Sequence, residues 1–161
     1  MDLLETTSVS KIVGLVERVS DLKGPEDLAQ IDDDLGIEKS EFFNIVDDAE
    51  RLDLVKVVEG NIQLTEFGKR FVNSGIRERK MLLEKKLREV EPFKTLLPIL
   101  EKDQDNKIKK DKFIEIIKNN FYTMDPEKIF KVFVNWGRYS KLIGYSIDTD
   151  EVYIYRGNRE F

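Results

Sequence analysis

The chain has 161 residues and a mass of 18.9 kDa, with 40% hydrophobic and 37% charged residues. That suits one large domain or two small ones packed around cores of their own. Cysteine and histidine are both absent, which excludes disulfides, thiol nucleophiles, His-ligated metals and a Ser-His-Asp triad. No apolar run reaches the ~20 residues of a membrane span, and 1–11 lacks the apolar core of a signal peptide, so a soluble, cytoplasmic protein without membrane insertion is expected.

The net charge of -5 conceals an asymmetry. Residues 1–60 hold 6 Lys and Arg against 16 Asp and Glu, whereas 61–100 hold 9 against 5 and 101–161 hold 12 against 11. An acidic first third repels polyanions, so a nucleic-acid footprint belongs in the second half.

Met1–Thr7 reads as a frayed lead-in. Val9, Ile12, Val13, Val16 and Val19 recur at helical spacing, and Lys23-Gly24-Pro25 breaks that helix. Leu28, Ile31 and Leu35 mark a second helix, closed by Gly36. Ser40 opens a third, with Phe42, Val46, Ala49 and Leu52 on one face. Val55 and Val57, then Glu59-Gly60, then Ile62 and Leu64 form a hairpin with a two-residue turn. Thr65 caps the next helix, where Phe67 and Phe71 pack back and Gly68 allows close approach. From Ile76 a highly charged helix carries the stripe Leu83, Leu87 and Val90, a candidate seam for a homodimer. Pro92 ends or kinks it, and Phe93–Leu100 is a further apolar helix.

Asp103–Lys107 reads as a polar turn. Phe113, Ile116 and Ile117 share a helix ending near Phe121. Asp125-Pro126 starts another, with Ile129, Phe130, Phe133 and Trp136 on its apolar face. Tyr145 and Ile147, the turn Asp148–Glu151, then Val152 and Ile154 give a second hairpin, and Arg156–Phe161 is a tail. The fold class expected is mainly α with small β-hairpins (α+β): winged-helix-like units over 1–75 and 105–161, joined by a helical connector over 76–104.

Catalytic chemistry finds no purchase in these residues. The nine glycines are scattered, and none forms a phosphate loop before Lys-Ser or Lys-Thr. Asp32, Asp33 and Asp34 fan out around a helix, and Asp148-Thr-Asp150-Glu151 suits a hairpin turn better than a cation loop. No cofactor, metal or enzymatic activity is expected. A winged helix reads DNA through the helix before its hairpin. In the first unit that helix exposes Glu41, Asn44, Asp47, Asp48 and Arg51, and its acids repel phosphate. In the second, Lys128, Lys131, Asn135 and Arg138 fall at i, i+3, i+7 and i+10, opposite the apolar face, and Lys107, Lys109, Lys110 and Lys112 lie just upstream. This stripe is a candidate DNA-binding surface, or a solvated helix face.

The segment Trp136-Gly137-Arg138-Tyr139-Ser-Lys-Leu142-Ile-Gly-Tyr145 resembles a signature of the AAA-associated C-terminal domain. Leu64-Thr-Glu-Phe-Gly68-Lys-Arg-Phe71, Ile76-Arg-Glu-Arg79-Lys80 and Ser10–Glu17 resemble further segments of it, so the likeness runs over Val9–Tyr153. Lys141, Ile143 and Ser146 depart from the family pattern, where Glu, an aromatic and Asp stand. That domain occurs at the C-terminus of ATP-binding subunits of nitrate/sulfonate/taurine-type ABC transporters and as free-standing archaeal proteins. The resemblance implies a regulatory or protein-interaction role, with an ABC-type ATPase subunit as partner; the Ile76–Glu91 helix and its apolar stripe are the candidate surface for that partner or for a second copy. The alternative is a winged-helix transcriptional regulator binding DNA through the second unit. Trp136, Gly137 and Tyr139 of the signature suit a structural role, and Arg138 suits either an anchoring hydrogen bond or recognition.

Overall fold

The computed structural model describes residues 3–22, 24–122 and 124–156. Met1 and Asp2 of the lead-in, Lys23 of the expected break, the side chain of Asp34 and the tail beyond Arg156 lie outside the described residues. The architecture is mainly α with two small antiparallel sheets, an α+β fold. Two compact units divide the chain: Ser8–Leu82, and Met1–Thr7 with Leu83–Phe161.

The first unit runs α1 (Val9–Ser20), β1 (Glu26–Asp27), α2 (Leu28–Leu35), α3 (Lys39–Arg51), β2 (Val55–Val58), β3 (Asn61–Leu64) and α4 (Glu66–Val72). Helix α5 (Ile76–Leu87) follows and spans the division between the units. The second unit continues with α6 (Phe93–Lys102), β4 (Lys107–Lys109), α7 (Lys110–Asn120), α8 (Pro126–Tyr139), β5 (Ile143–Ser146) and β6 (Glu151–Ile154).

Each unit therefore repeats helix, short strand, two helices and hairpin, and the sheets share one topology, β1-β3-β2 and β4-β6-β5. The repeat extends to buried positions. Ile12, Leu15, Val16 and Val19 of α1 are matched at identical spacing by Phe93, Leu96, Leu97 and Leu100 of α6. In the second core Phe93 stacks on Phe133 with centroids 4.8 Å apart, and Phe113 lies 5.2 Å from the same ring. Aromatic clusters of this kind bury much area and favour one arrangement of rings.

Helix termini follow local chemistry. The Thr65 hydroxyl accepts from Gly68 N at 2.9 Å, and Asp125 accepts from Glu127 N at 3.0 Å with Pro126 opening α8. Gly36 ends α2 in the left-handed conformation at φ 64°. Helix α3 begins one residue earlier than Ser40 predicts, because Glu38 is the cap. Its carboxylate accepts from Glu41 N and the Ser40 hydroxyl. Those hydrogen bonds, the Ser40 hydroxyl first, hold the Glu38 carboxyl below its usual range.

Several expectations are corrected. Asp48, expected on the exposed face of α3, is buried and pairs with Arg51 at 2.7 Å. The turn assigned to Asp103–Lys107 stops at Asn106, because Lys107 begins β4, and β1 went unanticipated as well. Strands of two or three residues are too short to show alternation, and they form by pairing with β3 and β6. Ile147 is not a strand residue but sits exposed in the hairpin turn. The lead-in is anchored rather than frayed. Leu3 and Leu4 are buried, Leu4 N donates to Glu91 O at 2.8 Å, and Leu3 bridges Glu91. The stripe expected from Ile76 onward is also used internally, since Leu83 and Leu87 of α5 and Val90, beyond its end, are buried. Pro92 follows a cis peptide bond and caps α6. Among the described residues no helix is long and apolar enough to cross a membrane.

Candidate functional site

The helix before the hairpin positions the candidate residues. On α8, Ile129, Phe130, Val132, Phe133, Val134, Trp136 and Gly137 are buried, so a wide inner face is fixed in the core. Lys128, Lys131, Asn135 and Arg138 all fall on the remaining, exposed face. Among the described residues Lys128, Lys131 and Arg138 have no ion pair or side-chain hydrogen bond. Asn135 differs, because its Nδ2 donates to the Thr7 carbonyl at 2.8 Å. The lysines upstream are partly engaged as well. Lys109 Nζ donates to Thr149 O, while Lys110 pairs with Glu127 at 3.5 Å and lies over the Phe130 ring.

The Trp136-to-Tyr145 segment is the machinery that turns α8 into the hairpin. Trp136 is fully buried, and its Nε1 donates to the Thr6 carbonyl at 2.8 Å. A Cβ on Gly137 would meet Ile143 Cγ1 at 2.3 Å, so only glycine lets α8 approach β5 this closely. Leu142 N donates to Gly137 O and Lys141 N to Arg138 O, with Lys141 at φ 65°, which together make a complete Schellman ending. The Ser140 hydroxyl donates back to Trp136 O. Tyr145 donates its hydroxyl to Asp150 across the hairpin, and this bond raises the Tyr145 pKa above its usual value. Among the described residues Arg138 has no side-chain hydrogen bond, and the residue is exposed.

A family model for the C-terminal AAA-associated domain matches residues 29–146. The chain belongs to that family. No curated protein and no solved structure matches it. The AAA-associated match begins inside α2 and ends at the last residue of β5. It thus takes in α3, α8, Arg79 and the whole Trp136-to-Tyr145 segment, and leaves out Ser10–Glu17.

One residue of the AAA-associated domain has a role that its sequence context hides. Arg79 belongs to a charged helix, but its guanidinium gathers the carbonyls at the end of α4. Nε donates to Phe71 O at 3.0 Å and to Ser74 O at 3.1 Å. Nη2 donates to Val72 O at 2.9 Å, and Nη1 pairs with Glu17. The same group lies 5.0 Å from the Phe71 ring centroid. The first unit also contains a cleft of about 330 Å³, lined by Val19, Leu22, Gln63, Leu64, Lys69 and Val72 among others.

Proposed function

We propose that the chain is a non-enzymatic interaction module built from two winged-helix-like units, working with the ATPase of an ABC-type transporter through the exposed face of α8. The family carries the ATPase association. The observation that carries the choice of surface is the row Lys128, Lys131 and Arg138. These cations share one helix face and have no ion pair or side-chain hydrogen bond among the described residues, while the opposite face is locked into the core. Such a face suits an acidic protein surface. The test is co-purification of the tagged chain with an ATP-binding subunit of the nitrate/sulfonate/taurine type. Capture that is lost in Lys128→Glu/Lys131→Glu/Arg138→Glu supports the reading, and failure to capture the subunit at low salt removes it.

DNA binding through the same helix is the second reading, favoured by the position of α8 before a hairpin. Two observations weigh against it. The three cations of α8 by themselves neutralise few phosphates, and phosphate neutralisation dominates affinity for DNA. Asn135, the amide best suited to read an adenine edge, is already hydrogen-bonded to Thr7.

A further inference from the structure

Helices α3 and α8 occupy the same place in their units, yet their outer faces differ in charge. Aligning them on the buried pairs Phe42 with Phe130 and Ala49 with Gly137 is supported by their C-terminal ends. Both helices finish in the same Schellman arrangement, with Leu54 N on Ala49 O and Leu142 N on Gly137 O, and with Asp53 and Lys141 left-handed. The alignment sets Ser40 opposite Lys128, Phe43 opposite Lys131, Asp47 opposite Asn135 and Glu50 opposite Arg138. All eight are exposed. Asp47 has no ion pair among the described residues, and Phe43 leaves 45% of its surface to solvent beside it.

We infer that the α3 face of one copy docks on the α8 face of a second copy. Asp47 and Glu50 are three residues apart, as are Lys128 and Lys131, a rise of about 4.5 Å on each helix. An antiparallel pairing therefore brings Glu50 to Lys128 and Asp47 to Lys131 in one register. Phe43 then lies over the turn holding Asn135, against the aliphatic stems of Lys131 and Arg138. A second copy is the occupant that satisfies both faces. A polyanion would engage α8 and leave α3 repelled. The contact joins unlike surfaces, so it closes into a dimer or repeats head to tail. This rests on the reading of α8 as an interaction face, but it needs neither ATPase nor DNA.

Exposed ion pairs are individually weak and screened by salt, so association belongs at protein concentrations on the order of 100 μM and at low ionic strength. Sedimentation equilibrium of the full chain provides the test. At about 20 mM salt the mass rises with concentration above 18.9 kDa, and at roughly 0.5 M salt it returns to that value. Lys128→Glu/Lys131→Glu and Asp47→Lys/Glu50→Lys each stay monomeric, with circular dichroism confirming their folds. Their equimolar mixture regains the wild-type mass, because each supplies the face that the other lacks. The variants carry net charges of -9 and -1, so recovery is not attraction between oppositely charged proteins. A wild type that remains monomeric at low salt overturns the inference. So does a mixture that stays monomeric, or association untouched by either variant. Because only this chain is in the cell, failure here leaves the ATPase reading standing, and failure to capture an ATPase leaves this inference standing.

Discussion

At the scale of single residues, the glycines separate packing from propensity. Gly14 lies in the exposed face of α1, and a Cβ there meets nothing within 4 Å. Gly14→Ala should stabilise the protein by about 0.5–1 kcal/mol, since alanine loses less backbone entropy in a helix. Gly68 also lies in a helix, but its Cβ would sit 2.0 Å from the Leu54 carbonyl oxygen, a backbone atom that cannot swing aside. Gly137 meets the branched stem of Ile143. Both alanine variants should lose about 1–3 kcal/mol or more, because overpacking outweighs the gain in propensity. Urea unfolding of the three variants checks the signs, and a stabilised Gly137→Ala would contradict the close approach of α8 and β5. Arg79 offers a second contrast. Removing its charge-assisted bonds to carbonyls that end α4 should cost about 2–3 kcal/mol in Arg79→Ala. Arg79→Lys should recover little of it, because an ammonium cannot span three carbonyls as the planar guanidinium does. Near-complete recovery by lysine would reduce Arg79 to a simple charge.

At the scale of elements, the segment ahead of α1 controls the environment of the only tryptophan. Leu4 is 1% exposed, and the carbonyls of Thr6 and Thr7 hold Trp136 and Asn135. Leu4→Ala should cost about 2–4 kcal/mol by the usual loss of burial plus cavity. It should also make Trp136 more accessible to acrylamide under native conditions, and unchanged quenching would show that the strap does not shield the indole. None of this was legible in the sequence, because two adjacent leucines followed by polar residues carry no period. The helices were legible, since their apolar residues recur at 3.6-residue spacing and Thr65, Asp125 and Gly36 mark their ends. The first hairpin was legible from alternation, and Glu59-Gly60 takes the two positive φ values that its turn requires. The second was legible only in Val152 and Ile154, because Ile147 lies in the turn and β5 does not alternate in burial. The strands β1 and β4 were hidden by their shortness. The role of Arg79 was hidden because its partners are backbone carbonyls, which every sequence has. The stripe Lys128, Lys131, Asn135 and Arg138 was legible as a helix face, but the engagement of Asn135 by Thr7 comes from a contact 128 residues distant in sequence.

At the scale of the whole molecule, net charge decides between partners. The chain carries -5 with a pI near 5.0, and its first unit contributes an acidic α3 face to any approach by DNA. A phosphate backbone therefore meets a repulsive long-range field and finds on α8 the three cations Lys128, Lys131 and Arg138, unpaired among the described residues. Counterion release from three contacts gives a slope of about -2.7 for log affinity against log salt. Between 50 and 200 mM salt that slope weakens binding by roughly 40-fold, against the ~10³–10⁵ typical of proteins with six or more phosphate contacts. Fluorescence anisotropy with random duplex DNA should thus show weak binding at low salt, removed by Lys128→Glu/Lys131→Glu, and none at micromolar protein near physiological salt. A slope twice as steep would require cations beyond α8 and would put DNA ahead of a protein partner. Binding that survives the double variant would move the contact off α8 altogether. A shallow slope with loss of binding in the variant is the outcome expected of a face shaped for an acidic protein, on which duplex DNA is only a poor substitute.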